Sequence, residues 1–87
     1  MERVLKKGVY RHFKAAYMLY ELIGEATHTE TGEKLVIYRN LYEKENLKKG
    51  QIWARPKEMF ISKVPAGREN PNNQEYRFEY IGEDLDA

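Results

Sequence analysis

The sequence predicts a mainly β fold, a small β-barrel of five to six strands with one short helical turn near residues 56–60. Three observations carry the prediction. The stretch ATHTETGEKLVIYRNLY, Ala26 to Tyr42, joins a glycine-bearing polar turn to the longest β-prone run in the chain, which is how a hairpin is written. Aromatic residues make up 13% of the chain, a bias that suits strands better than a helical bundle. Both faces of the Lys34–Tyr42 run are partly apolar, as in a strand curled within a small barrel.

Taken in order, Met1 to Lys7 reads as a lead-in, and Val9 to Phe13 as a first strand with Tyr10 and His12 on one face. Lys14 to Ala26 is open between two forms. Ala15, Met18, Leu19, Leu22 and Ala26 match an amphipathic helix, whereas Met18, Tyr20, Leu22, Gly24 and Ala26 alternate as one face of a strand bent at Gly24. In Thr29-Glu30-Thr31-Gly32, a type I turn centred on Glu30 and Thr31 places Gly32 in the left-handed region. Val36, Tyr38 and Tyr42 then share one face, and Leu35, Ile37, Arg39 and Leu41 the other. Glu43 to Gly50 is an exposed loop. Gln51 to Arg55 is a short strand stopped by Pro56, which opens the helical turn carrying Met59 and Phe60. Ile61 to Val64 continues as strand, 65–73 is a turn-rich loop, and Glu75 to Ile81 closes the fold with Tyr76, Phe78 and Tyr80 on one face.

The totals bound the functional classes. A chain of 87 residues is one domain, 1–87, with an acidic tail at 82–87, and its small core leaves a modest stability margin. Without cysteine, neither disulfides nor a zinc ribbon support it. The net charge of +1 predicts no strong steering toward nucleic acid or anionic membrane. Charge is nevertheless uneven, basic over the first fourteen residues and acidic at the end. No apolar run is long enough to cross a bilayer or to serve as a secretory signal, so the expected location is cytoplasmic.

Four motifs in order, YRHFK at Tyr10–Lys14, HTETGE at His28–Glu33, VIYRNLY at Val36–Tyr42 and WARPKEMF at Trp53–Phe60, resemble a small bacterial family known as domain of unknown function 1653. Arg77-Phe78 resembles that family's closing strand. The resemblance implies a compact SH3-like β-barrel and therefore takes Lys14–Ala26 as strand. It implies no activity. This chain departs from the family pattern at Ala15-Ala16, where glycine is usual, and in a longer loop between Tyr42 and Trp53.

The candidate contact residues are Tyr10, Arg11, His12, His28, Tyr38, Arg39, Trp53 and Arg55. Arginine forks onto carboxylates or phosphates, and an aromatic face supports a base, a proline or a cation. If the strands Lys34–Tyr42 and Gln51–Arg55 are neighbours, Arg39, Trp53 and Arg55 form one aromatic and basic surface. The structural alternative pairs Arg39 with Glu58 or Glu33 and packs Trp53 into the barrel. His12 and His28 lack a third ligand at a diagnostic spacing, so no metal site and no cofactor are expected. Catalysis is the least supported class, since the glycines are scattered and no acid–base pair or nucleophile elbow is present. The expected protein is a small binding or adaptor module. Its first-choice partner is a protein, either a proline-bearing peptide or a second copy of the chain; RNA or single-stranded DNA is the alternative, and no membrane is expected.

Overall fold

The computed structural model describes residues 5–83, so part of the expected lead-in and the acidic tail past residue 83 lie outside the described residues. The elements are β1 (Gly8–His12), β2 (Leu19–Thr27), β3 (Lys34–Asn40), β4 (Ile52–Pro56), α1 (Lys57–Phe60) and β5 (Phe78–Gly82). The five strands form one antiparallel sheet in the order β4-β3-β2-β1-β5. The mainly β expectation is met.

Strand, not helix, occupies the ambiguous stretch from Leu19 onward, where residues find ladder partners on both sides, whereas Lys14 to Met18, also expected as strand, forms the turn between β1 and β2. Tyr20 lies opposite Tyr10 in β1 and opposite Asn40 in β3. The β2–β3 register shifts between Leu22 and Gly24, and the bend expected at Gly24 is this bulge. The hairpin turn keeps Gly32 in the expected left-handed position but is one residue wider than the type I turn expected over Thr29–Gly32, its closing bond reaching back to His28 rather than Thr29. Gly32 has φ +76°, the Gly32 N–H donates to the His28 carbonyl at 2.9 Å, and the His28 ring nitrogen Nδ1 accepts from the Glu30 and Thr31 amides.

Inward positions follow the two-residue period. Tyr10, Tyr20, Leu22, Val36, Tyr38 and Phe78 are buried together with Phe60 from α1. Among the described residues, β4 and β5 share no ladder, so the curled sheet is not closed by backbone bonds. Side chains fill the gap. Pro56 ends β4 and α1 follows at once, dropping Phe60 onto Phe78 of β5 with ring centroids 4.2 Å apart and planes within 8°. Met59, expected to be pinned with Phe60, is instead 45% exposed.

The sixth strand expected over Ile61–Val64 reduces to an isolated bridge between Lys63 and Tyr76. Pro65 has no amide to donate and stops the ladder, and the following 65–73 segment turns away. The last strand correspondingly starts at Phe78 rather than Glu75. At the opposite junction Gly8 has φ +144°, and a Cβ there would meet the Gly82 carbonyl oxygen at 2.5 Å, so β1 and β5 approach at a point only glycine allows.

Candidate functional site

Directly opposed residues of an antiparallel pair point to the same side of the sheet. Tyr38 faces inward, so its partner Trp53 does too; Val36 does the same for Arg55, and Asn40 for Tyr20. At the mouth of the curled sheet these positions converge on a cleft of about 230 Å³ lined by Tyr20, Tyr38, Tyr42, Leu47, Trp53 and Arg55. A wider depression of about 390 Å³ beside the hairpin is lined by charges that satisfy each other, Lys57 meeting Glu25 at 3.0 Å.

The cleft combines rings with a polar floor. The hydroxyls of Tyr20 and Tyr42 share a hydrogen bond at 2.7 Å, and Arg55 donates its Nε–H to the Tyr38 hydroxyl at 3.2 Å. Burial, then the Tyr42 hydrogen bond, pushes the Tyr20 phenol up, so it stays protonated and available to donate. The Arg55 guanidinium lies 5.2 Å above the Phe78 ring.

Trp53 forms the outer wall, 37% exposed yet fixed in place. Its indole N–H donates to Asn40 Oδ1 at 3.1 Å, while Asn40 Nδ2 donates to the Tyr42 and Lys48 carbonyls, both at 2.7 Å. The fully buried Asn40 amide thus uses both donors and its acceptor, joining the 41–50 loop to the cleft wall.

The eight sequence candidates separate by strand phase. Tyr38, Trp53 and Arg55 line the cleft. Tyr10 is a core residue, 1% exposed, with its hydroxyl donating to the Lys6 carbonyl at 2.6 Å. Arg11 and Arg39 face outward, where each pairs with the carboxylate directly opposite, Arg11 with Glu79 and Arg39 with Glu21. The single Arg39–Trp53–Arg55 surface is therefore corrected: β3 and β4 are neighbours, but Arg39 is out of phase with its supposed partners, and its carboxylate is Glu21 rather than Glu58 or Glu33. His28 sits at the β2–β3 turn and His12 at the other end of β2, so the two histidines share no site. Tyr20, Tyr42, Leu47 and Asn40 were not among the candidates.

His12 is buried under the cleft, stacked on Phe13 at 4.8 Å and edge-on to Phe78 at 4.8 Å. Its Nδ1 accepts the Lys14 amide at 3.2 Å. Burial, reinforced by the charges of Arg55, Lys14, Arg77 and Arg68, lowers its pKa to about 4. The unfolded chain therefore binds a proton near pH 6.5 that the folded protein refuses until about 4, and stability falls as pH drops through that window. The loss attributable to His12 is on the order of 2–3 kcal/mol, the full linkage being reduced by solvent screening of the surrounding charges. Urea titrations from pH 7 to pH 4 test this. His12→Gln, which keeps an acceptor for the Lys14 amide, should flatten the profile between those limits; an unchanged slope would assign the acid sensitivity to the carboxylates.

With this geometry in hand, comparisons with known proteins place it. The model of a family described as "Protein of unknown function (DUF1653)" matches residues 8–80. Among solved structures, the crystal structure of a protein belonging to that family from Bordetella bronchiseptica is similar, at 31% sequence identity and a TM-score of 0.69, over 90% of this chain and 88% of that one. None of the curated proteins matches.

Proposed function

We propose, from the premise that this chain belongs to the domain of unknown function 1653 family, that it is a small binding module whose contact face is the Trp53–Arg55 cleft. The observation that carries the reading is Trp53 itself, a large apolar ring left 37% exposed while a buried asparagine holds its indole nitrogen. A ring already fixed in its bound orientation loses little conformational freedom on association, and tryptophan and arginine are the side chains that most often dominate binding energy. The partner presents one planar or ring-bearing group to Trp53, and Arg55 meets an acceptor beside it.

Trp53 is the sole tryptophan, so its fluorescence reports the cleft directly. A panel of proline-bearing peptides and short oligonucleotides should contain a ligand that quenches or blue-shifts its emission. Against that ligand, Trp53→Ala should cost about 2 kcal/mol of binding, roughly thirty-fold, followed by isothermal calorimetry because the variant lacks the fluorophore. Arg39→Ala, on the outer face, should bind as the parent does. Equal losses in the two variants would place the contact elsewhere.

A further inference from the structure

Resting on the cleft reading above, we infer that the partner is a single-stranded nucleic acid: one base seats against Trp53, and Arg55, Arg68 and Lys14 carry the flanking phosphates. The first support is how the charges are distributed. Arg11, Arg39, Lys57 and Lys63 each have a carboxylate partner. Among the described residues, Arg55, Arg68, Arg77 and Lys14 have none within ion-pair distance, and the Arg77 Nε is buried without a hydrogen-bond partner.

The second support is continuity. Arg55 lines the cleft and lies over Phe78; Phe78 meets the His12 ring, His12 stacks on Phe13, and Arg68 lies 5.6 Å above Phe13. Lys14 and Arg68 then line a depression with Gly67 and the exposed Glu69, the one carboxylate there. Arg55, Arg68 and Lys14 thus lie along a single cluster of rings that begins at the cleft. The low pKa of His12, set first by burial and then by Arg55, Lys14, Arg77 and Arg68, agrees with this placement, since every charge acting on it is positive.

The third support is the cleft floor. Tyrosine hydroxyls that donate and accept suit the polar edge of a base whose face rests on an aromatic wall, and stacking of this kind tolerates any sequence. A proline ring has no such edge to satisfy. The net charge of +1 is compatible because four carboxylates, Glu21, Glu25, Glu75 and Glu79, are paired with cations other than these, leaving a local basic run in a nearly balanced chain.

The test uses the intact chain with oligo-U and oligo-dT strands of about eight nucleotides, followed by Trp53 fluorescence and calorimetry. With about three phosphates engaged, log K should fall against log salt with a slope near −2, weakening binding about twenty-fold between about 50 and about 200 mM. Lys14→Gln combined with Arg68→Gln alters two exposed side chains outside the core, and should reduce the slope to about −0.7. An abasic strand should keep the salt dependence and leave Trp53 emission unchanged. No binding of either oligonucleotide at low salt, or binding indifferent to the double substitution, overturns the inference. An acidic, proline-bearing peptide that quenches Trp53 where oligonucleotides do not would overturn it while leaving the cleft reading intact. If none of these probes reaches Trp53 at any salt, both readings fall.

Discussion

Phe78→Ala should remove about 4 kcal/mol of folding stability, a large part of the margin of a small domain. Phe78 is fully buried at the start of β5, directly opposite His12. It stacks on Phe60, takes the edge of the His12 ring, and adjoins Tyr20 at 5.6 Å and Tyr38 at 5.8 Å. Since β4 and β5 do not pair, the Phe60–Phe78 stack spans the gap that a backbone ladder leaves open. Truncation creates a cavity at the seam, where lost dispersion adds to the transfer cost. In thermal melts the shift should be roughly 20 °C for a chain of this length. Ile81→Ala, on the same strand but 44% exposed, serves as the comparison and should cost under about 1 kcal/mol. A Phe78→Ala variant as stable as Ile81→Ala would mean that the seam is not held by these rings. Phe78 also supports Arg55, so the variant should bind more weakly even at temperatures where it remains folded.

What could be read from the sequence depended on whether the deciding interaction was local. The turn ending at Gly32 was legible in position, though not in width, because one glycine and short polar residues specify it without help from elsewhere, and even the brace from His28 lies within the motif. The alternation of β3 was legible for the same reason. Leu19–Thr27 was not, since helical and strand periods both fit its apolar residues, and only pairing with β1 and β3 separates them. The same limit governed the site. Trp53 and Arg55 stand opposite Tyr38 and Val36, a register no single strand reveals, and that register also puts Arg39 on the opposite face. Tyr42 shared the Tyr38 face in the sequence, so it was within reach of the pattern. Asn40 is the missed residue with the clearest signal: it follows Val36 and Tyr38 in the inward series, and a polar side chain at an inward position requires partners.

Asn40→Asp should be more destabilising than Asn40→Ala, although aspartate is nearly the same size and shape as asparagine. The indole N–H of Trp53 can only donate, which fixes Asn40 Oδ1 toward it and Nδ2 toward the Tyr42 and Lys48 carbonyls. In the aspartate variant an oxygen replaces Nδ2 and confronts two carbonyl oxygens in a fully buried position. Ionised, it is an unpaired buried charge; protonated, it donates to one carbonyl and leaves the other unserved. The expected loss is about 3–4 kcal/mol at neutral pH, against about 2 for alanine, which removes the amide without installing a repulsion. The sign of the pH dependence separates the two. Burial raises the folded pKa of the introduced carboxyl above its unfolded value of about 3.9, so the excess penalty is small below that pH and grows as pH rises. The difference between Asn40→Asp and the parent should therefore narrow in acid, whereas the alanine difference should stay level. Asn40→Ala should red-shift Trp53 emission as the indole loses its acceptor, whereas the Oδ1 retained in Asn40→Asp still receives the indole N–H. A pH-independent aspartate deficit, or an emission maximum unmoved in Asn40→Ala, would show that the wall of the cleft is held by something other than this amide.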